Sequence, residues 1–121
     1  MTTLDQIALR YLQSWNELDA KARRAEIDDL FASTCTYTDP MASVRGRDGV
    51  DGFIAAVQAQ FAGVRFVVAG KVDAHHDVAR FTWHALAPGV PEPVAIGFDV
   101  MVTEAGKIKS IVGFLDKAPV A

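Results

Sequence analysis

Asp39 is the residue that most favours chemistry in this 121-residue sequence. From residue 34 to residue 39, threonines alternate with Cys35, Tyr37 and Asp39. This period of two predicts a short strand, which Pro40 ends. The alternation places the Asp39 carboxylate on the apolar face, where burial would raise its pKa toward the range of a general base. The simpler interpretation is that Asp39 begins a turn before Pro40, and the local pattern by itself favours that turn.

Asp99 is a second acid in an apolar setting, within residues 94–102 of a predicted strand. One face of that strand carries Ile96, Phe98, Val100 and Val102, and the other carries Ala95, Gly97, Asp99 and Met101. Alternation alone favours a core under the larger apolar side chains, with Asp99 in solvent. A second interpretation has a cavity on the small-residue face and a partner on the other, which would make Asp99 functional.

Aromatic side chains accompany the two acids. Tyr11 and Trp15 lie about one turn apart on a predicted helix, and Phe81 shares a predicted strand face with Trp83. Aromatic residues at these spacings usually belong to a hydrophobic core. A buried tyrosine hydroxyl nevertheless needs a hydrogen-bond partner, and it can serve as a donor to a ligand.

His75 and His76 are the candidates for metal binding, because Asp73 and Asp77 flank them. Adjacent side chains diverge, however, and no third ligand follows at a recognisable spacing. We therefore predict a solvated hairpin turn and no metal site.

The composition excludes several classes of function. The chain has 12 basic and 15 acidic side chains, and the basic ones are scattered among acids, which argues against a nucleic-acid partner. Its apolar stretches are far shorter than the ~20 residues of a membrane span. The first ten residues show no signal-peptide pattern, and the single cysteine cannot form an internal disulfide. We therefore expect one cytoplasmic domain over residues 1–121.

The elements that must position these residues can be predicted from periodicity. We predict a helix capped by Thr3, and then a second that starts at Asp19 and carries Phe31 on its apolar face. The strand that carries Asp39 comes next, followed by a third helix capped by Asp48. Four further strands are predicted at residues 64–72, 78–87, 94–103 and 107–115. This order predicts an α+β domain with helices on one face of a curved sheet.

Short motifs follow one another in a characteristic order along nearly the whole chain. They are Arg10-Tyr11-Leu12, Trp15-Asn16-Glu17-Leu18-Asp19, Leu30-Phe31-Ala32, Tyr37-Thr38-Asp39-Pro40, Arg45-Gly46-Arg47-Asp48-Gly49, Gly97-Phe98-Asp99-Val100 and Gly106-Lys107-Ile108. In this order and spacing the chain resembles the nuclear transport factor 2-like superfamily. Within that superfamily it is similar to the SnoaL-like polyketide cyclases and to the steroid delta-isomerases.

The resemblance implies a cone-shaped α+β fold. A curved, mostly antiparallel sheet is expected to wrap around three N-terminal helices and to enclose an apolar pocket. A homodimer is expected to form through the outer sheet face. In that arrangement Phe98 and its apolar neighbours would meet the partner, and Asp99 would face the pocket.

The resemblance also implies a reaction and its residues. In steroid delta-isomerases the base is the aspartate of an Asp-Pro pair after the first strand, which Asp39 matches. A tyrosine of the first helix and a protonated aspartate of a late strand form the oxyanion hole, matched by Tyr11 and Asp99. The implied function is a cofactor-independent isomerase or cyclase of a small hydrophobic ketone, without a metal. The expected substrate-binding side chains are Trp15, Tyr37, Met41, Phe53, Trp83 and Met101.

The sequence leaves open whether the pocket is catalytic. The alternative function is a non-catalytic protein that binds or carries a small apolar metabolite in the same pocket. A dimeric scaffold with a vestigial pocket is a third possibility. In each case the partners expected are a second copy of the chain and, for the first two, an uncharged apolar molecule.

Overall fold

Residues 3–118 are described by the computed structural model, and they form three helices and a six-stranded sheet. The helices are α1 (Leu4–Ser14), α2 (Ala20–Leu30) and α3 (Gly46–Gln60). The strands are β1 (Phe31–Thr38), β2 (Ser43–Arg45), β3 (Arg65–His75), β4 (Val78–Leu86), β5 (Ala95–Glu104) and β6 (Lys107–Lys117). In this part of the chain, every helix is too short or too polar to cross a lipid bilayer.

The strand order is β2-β1-β6-β5-β4-β3. The four strands from β3 to β6 follow one another as antiparallel neighbours, which confirms the prediction for the second half of the chain. β1 lies parallel to β6, and the short β2 pairs antiparallel with β1. β2 was not predicted because its three residues are too few to display an alternating pattern. The sheet is curved and mostly antiparallel, as expected.

The helix starts follow the capping signals in part. Thr3 caps α1 in a reciprocal capping box with Gln6, and the Asp19 carboxylate accepts the Ala22 N–H at the start of α2. α3 instead begins at Gly46, so the predicted cap Asp48 lies inside its first turn. A carboxylate is still favourable there because the helix N-terminus carries partial positive charge.

Phe31 corrects the predicted end of α2. It is the first residue of β1, whereas the sequence pattern placed it on the apolar face of the helix. Phe31 is fully buried. Because helix and strand would both bury it, the apolar pattern could not distinguish between them.

α1 packs against β3 and β4 on the inner face of the sheet. Its buried side chains are Ile7, Ala8, Tyr11, Leu12 and Ser14. Along β5, the side chains that face this helix layer are the small ones and the acid, and they are buried. Ile96, Phe98, Val100 and Val102 lie on the opposite face and are half-buried. The packing of α1 therefore turns Asp99 inward, and the interpretation that Asp99 faces solvent is wrong.

Candidate functional site

Asp99 is the centre of a buried polar cluster. Its side chain is 3% exposed and projects from β5 between Phe81 on β4 and Gly113 on β6, its two cross-strand neighbours. The Tyr11 hydroxyl lies 3.1 Å from Oδ2, and the Trp83 indole nitrogen lies 3.2 Å from Oδ1. Both carboxyl oxygens are therefore hydrogen-bonded, as a buried acid requires.

The environment changes the acidity of this cluster. Burial raises the pKa of Asp99 to about 6, against the opposing effect of hydrogen bonds from Trp83 and Tyr11, and the nearby charge of Asp39 adds to the rise. The pKa of Tyr11 is well above its usual value because its hydroxyl is buried and faces Asp99. The pKa of Tyr37 rises mainly through burial as well. Both tyrosines are therefore neutral donors at physiological pH.

Tyr11 can reach Asp99 because α1 packs over β3 and β4, and β5 is the next strand of the sheet. The tyrosine is fully buried, and its ring contacts Phe31 and Phe81 edge-on, with centroids 5.9 and 6.2 Å away. These contacts fix the ring, so the hydroxyl can take few other positions. The predicted role of Tyr11 as a core aromatic and its role as a donor are therefore compatible.

Asp39 directly follows β1, and both interpretations of its sequence context apply to it: it begins a turn, and it lines the pocket. Its Oδ1 accepts the N–H groups of Met41 at 2.8 Å and Ala42 at 2.9 Å, which form the turn predicted to begin at Asp39. Its Oδ2 accepts the Tyr37 hydroxyl at 2.6 Å. The half-buried carboxylate also lines the pocket. Three hydrogen bonds leave roughly one acceptor position free, on Oδ2, of the about four that a carboxylate offers.

A pocket lies between the helices and the inner face of the sheet, and both aspartates line it. Of the expected substrate-binding residues, Trp15, Tyr37, Met41, Phe53 and Trp83 line the pocket. Met101 does not, because it is fully buried one pleat beyond Asp99, between Ala79 and Ile111 on the neighbouring strands. Placing Met101 in the pocket was wrong, since a shared strand face extends further along the strand than the cavity does.

Several lining residues were missed by the sequence analysis. They are Leu12, Val57, Phe61, Val64, Phe66, Ala85, Val94, Ala95 and Leu115. Most of them sit near the ends of α3, β4 and β5. Identifying them would have required knowing which residues of neighbouring strands lie side by side. The sequence does not give this register between strands. The pocket is thus lined almost entirely by apolar side chains around a few hydroxyl and carboxyl groups, as ligand sites typically are.

His75 and His76 lie apart from the pocket, at the β3–β4 turn, and both are exposed. His76 has a φ of 50°, a left-handed conformation that occurs in tight turns. Within residues 3–118, no three His, Cys, Asp or Glu side chains lie close enough together to hold a metal ion.

Solved structures of other proteins are similar to this chain along most of its length. A SnoaL-like protein of Agrobacterium tumefaciens str. C58, provisionally assigned as an isomerase, is 39% identical, with 91% of this chain and 94% of that chain covered and a TM-score of 0.87. A Catenulispora acidiphila DSM 44928 protein of ketosteroid isomerase-like fold, in complex with trimethylamine, is 22% identical, with 92% and 85% coverage and a TM-score of 0.72. Curated protein sequences give no significant match.

A further solved structure shares the fold, and the match to a family model shows the family. A provisionally assigned SnoaL-like polyketide cyclase of Jannaschia sp. CCS1 shares the fold at 14% identity, with 96% and 90% coverage and a TM-score of 0.70. The family model described as SnoaL-like domain matches residues 8–111, which is most of the chain. The chain therefore belongs to the SnoaL-like family and has the nuclear transport factor 2-like fold.

Proposed function

We propose that the protein is a cofactor-independent isomerase or cyclase of a small hydrophobic ketone. The observation that carries the proposal is the hydrogen bond between the fully buried Tyr11 hydroxyl and the buried Asp99 carboxyl, at the wall of an apolar pocket that Asp39 also lines. Neutral donors held in a dry site stabilise negative charge that develops on a carbonyl oxygen. A carboxylate nearby can move the proton.

In the proposed reaction, Asp39 removes a proton from the carbon next to the ketone. The C–H electron pair forms the enolate, and the proton resides on the free position of Oδ2. At a pH below about 6, where Asp99 is neutral, Tyr11 donates a hydrogen bond to the enolate oxygen and Asp99 supports that donation through its own hydrogen bond to Tyr11. In an isomerisation Asp39 returns the proton to another carbon of the conjugated system. In a cyclisation the enolate carbon instead attacks a second carbonyl of the same molecule, and the resulting alkoxide takes the proton.

The pocket favours a small substrate. Its cavity volume is about 60 Å³, whereas a cavity known to hold benzene measures ~150 Å³. A ring compound must therefore displace lining side chains or extend through the mouth, where Met41 is 49% exposed. The unbranched, flexible side chain of methionine can move aside. We accordingly propose a monocyclic or short-chain ketone rather than a large fused-ring one.

A non-catalytic binding function is the second candidate, and one observation favours it. The Asp39 carboxylate already holds the turn through two backbone N–H groups and accepts the Tyr37 hydroxyl. These contacts occupy three of the about four acceptor positions of the carboxylate, so it already has a structural role in the turn. With Asp39 engaged in this way, the pocket would bind an apolar metabolite without transforming it.

Proton exchange separates the two candidates. A panel of small enones and β,γ-unsaturated ketones is incubated with the protein in D₂O, and loss of the α-proton signal is followed by ¹H NMR. Binding is measured in parallel by the fluorescence of Trp15 and Trp83, which line the pocket. We expect exchange catalysed by the wild type to fall by about 10²-fold or more in Asp39→Asn. If ligands bind but the wild type and Asp39→Asn exchange equally slowly, the protein is a binding protein.

We also propose that a second copy of the chain covers the outer sheet face. Phe98 and Val100 on β5 pair in register with Phe114 and Val112 on β6, and Phe114 is 55% exposed. These four side chains are cross-strand neighbours on the outer face, and a partner there would remove apolar surface from water. Light scattering is expected to give a dimer for the wild type and a monomer for Phe114→Asp. A wild-type monomer would contradict the proposal.

A further inference from the structure

Trp83 makes a hydrogen bond whose direction is unambiguous. An indole N–H can only donate, and it lies 3.2 Å from Oδ1 of Asp99. Oδ1 is therefore an acceptor whether the acid is charged or neutral. In the neutral acid the carbonyl oxygen is the better acceptor, so this contact favours the proton on Oδ2, which is the oxygen 3.1 Å from the Tyr11 hydroxyl.

Two glycines make this arrangement possible. Gly97 is the cross-strand neighbour of Trp83, and a Cβ there would lie 2.0 Å from Cζ2 of the indole and 2.6 Å from its nitrogen. Gly113 is the cross-strand neighbour of Asp99, and a Cβ there would lie 2.8 Å from Oδ1. The indole and the carboxyl thus lie directly over the backbones of two strands. Glycine inside a strand is destabilising relative to alanine, so the two glycines lower the stability of their strands while they leave this space open.

We infer that Trp83 is a positioning residue, which orients the Asp99 carboxyl so that its proton lies on Oδ2 and is shared with Tyr11. The inference rests on the proposed function, in which Tyr11 and Asp99 stabilise the enolate oxygen of the substrate. When Asp99 is neutral, Oδ2–H donates to the Tyr11 oxygen, and the Tyr11 proton is free for the ligand. When Asp99 is charged, Tyr11 donates to it instead. Asp99 thus acts through Tyr11 and sets the direction of its hydrogen bond.

The groups that face Asp99 are few. The titratable ones are Tyr11 on α1 and Asp39 at the end of β1, and Tyr37 on β1 lies behind Asp39. β4 contributes Trp83, and β6 contributes the backbone of Gly113. Burial raises the pKa of Asp99 to about 6, so the donor direction of Tyr11 is expected to change near that pH.

The test uses the unliganded protein and needs no substrate. Asp99 Cγ and Tyr11 Cζ are followed by ¹³C NMR between pH 4 and pH 8. In the wild type both signals are expected to titrate with one midpoint near 6. Trp83→Phe keeps a ring but removes the donor to the charged carboxylate, so the common midpoint is expected to rise toward about 7, a tenfold change in proton affinity.

Gly97→Ala is a second route to the same result, because the added methyl group displaces the indole from Asp99. Gly52→Ala is the matched control, since a Cβ at that exposed helical position has no atom within 4 Å. A midpoint unchanged in Trp83→Phe overturns the role of Trp83, and a Tyr11 signal that does not follow Asp99 overturns the coupling. Trp83→Phe decides alone if Gly97→Ala fails to fold. If these shifts are found but no ketone exchanges protons, the proposed function fails and the positioning role stands.

Discussion

Replacement of Asp99 by asparagine is expected to stabilise the folded protein at pH 8 and to change its stability little at pH 4. Burial raises the pKa of Asp99 from 3.8 to about 6. Between these two values the folded chain retains a proton that the unfolded chain releases, so the free energy of unfolding decreases as the pH rises. Above pH ~6 the full penalty is present. A difference of about 2 pKa units, at 1.36 kcal/mol each, corresponds to about 3 kcal/mol.

Asparagine is the appropriate replacement because its carboxamide has the shape of the neutral acid. Its oxygen can accept the Trp83 N–H, and its amino group can donate to the Tyr11 oxygen. It carries no charge that burial would penalise at any pH. The variant therefore reproduces the protonated state of Asp99 across the whole pH range, and the difference from the wild type isolates this one titration.

The measurement is urea unfolding of both proteins from pH 4 to pH 8 at one protein concentration, because association would add to the apparent stability. The difference in unfolding free energy is expected to rise from near zero at pH 4 to about 3 kcal/mol at pH 8. Asp116→Asn, which removes an exposed carboxyl from β6, controls for the loss of one surface charge. The reasoning is refuted if Asp99→Asn is no more stable relative to the wild type at pH 8 than at pH 4.

Further predictions concern the groups around the site. Tyr11→Phe removes a donor from the developing oxyanion, so enzyme-catalysed α-proton exchange is expected to fall by about 10²–10³-fold by NMR, while ligand affinity by fluorescence falls much less. Gly113→Ala forces a methyl group against the Asp99 carboxyl and is expected to destabilise the fold by about 1–3 kcal/mol in urea. Gly52→Ala, with open space around it, should be neutral or stabilising, and equal effects at the two glycines would contradict the packing argument. Arg23→Met leaves Asp51 on α3 without its ion-pair partner, so Tm should fall and the free energy of unfolding should decrease by about 3 kcal/mol. An unchanged Tm would mean that this ion pair contributes nothing to stability.

The fold was largely predictable because its signals are local. The capping box at Thr3 depends on residues three apart, and the four strands from β3 to β6 each show their own run of β-branched residues. The prediction failed where two structures bury the same residue, as at Phe31, and where an element is very short, as in β2. Neither Phe31 nor β2 lines the pocket, although Phe31 packs against the ring of Tyr11.

The candidate site was predictable residue by residue but not as an arrangement. Five of the six expected substrate-binding side chains line the pocket, and Met101 does not, because the depth of a cavity along a strand is not encoded in the alternation of that strand. Trp83 was expected only as a substrate-binding side chain. Its hydrogen bond to Asp99 depends on the register of β4 against β5 and on the missing side chain of Gly97.

The sequence by itself determined which side chains share a face, and the tertiary structure alone decided which face is inside. Alternation along β5 separates Asp99 from Phe98 but treats the two faces alike, because a period of two has no preferred side. The packing of α1 on the sheet broke that symmetry. It brought Tyr11 to Asp99 across 88 residues of chain, and burial beside that helix then gave the carboxyl the raised pKa on which its proposed role depends.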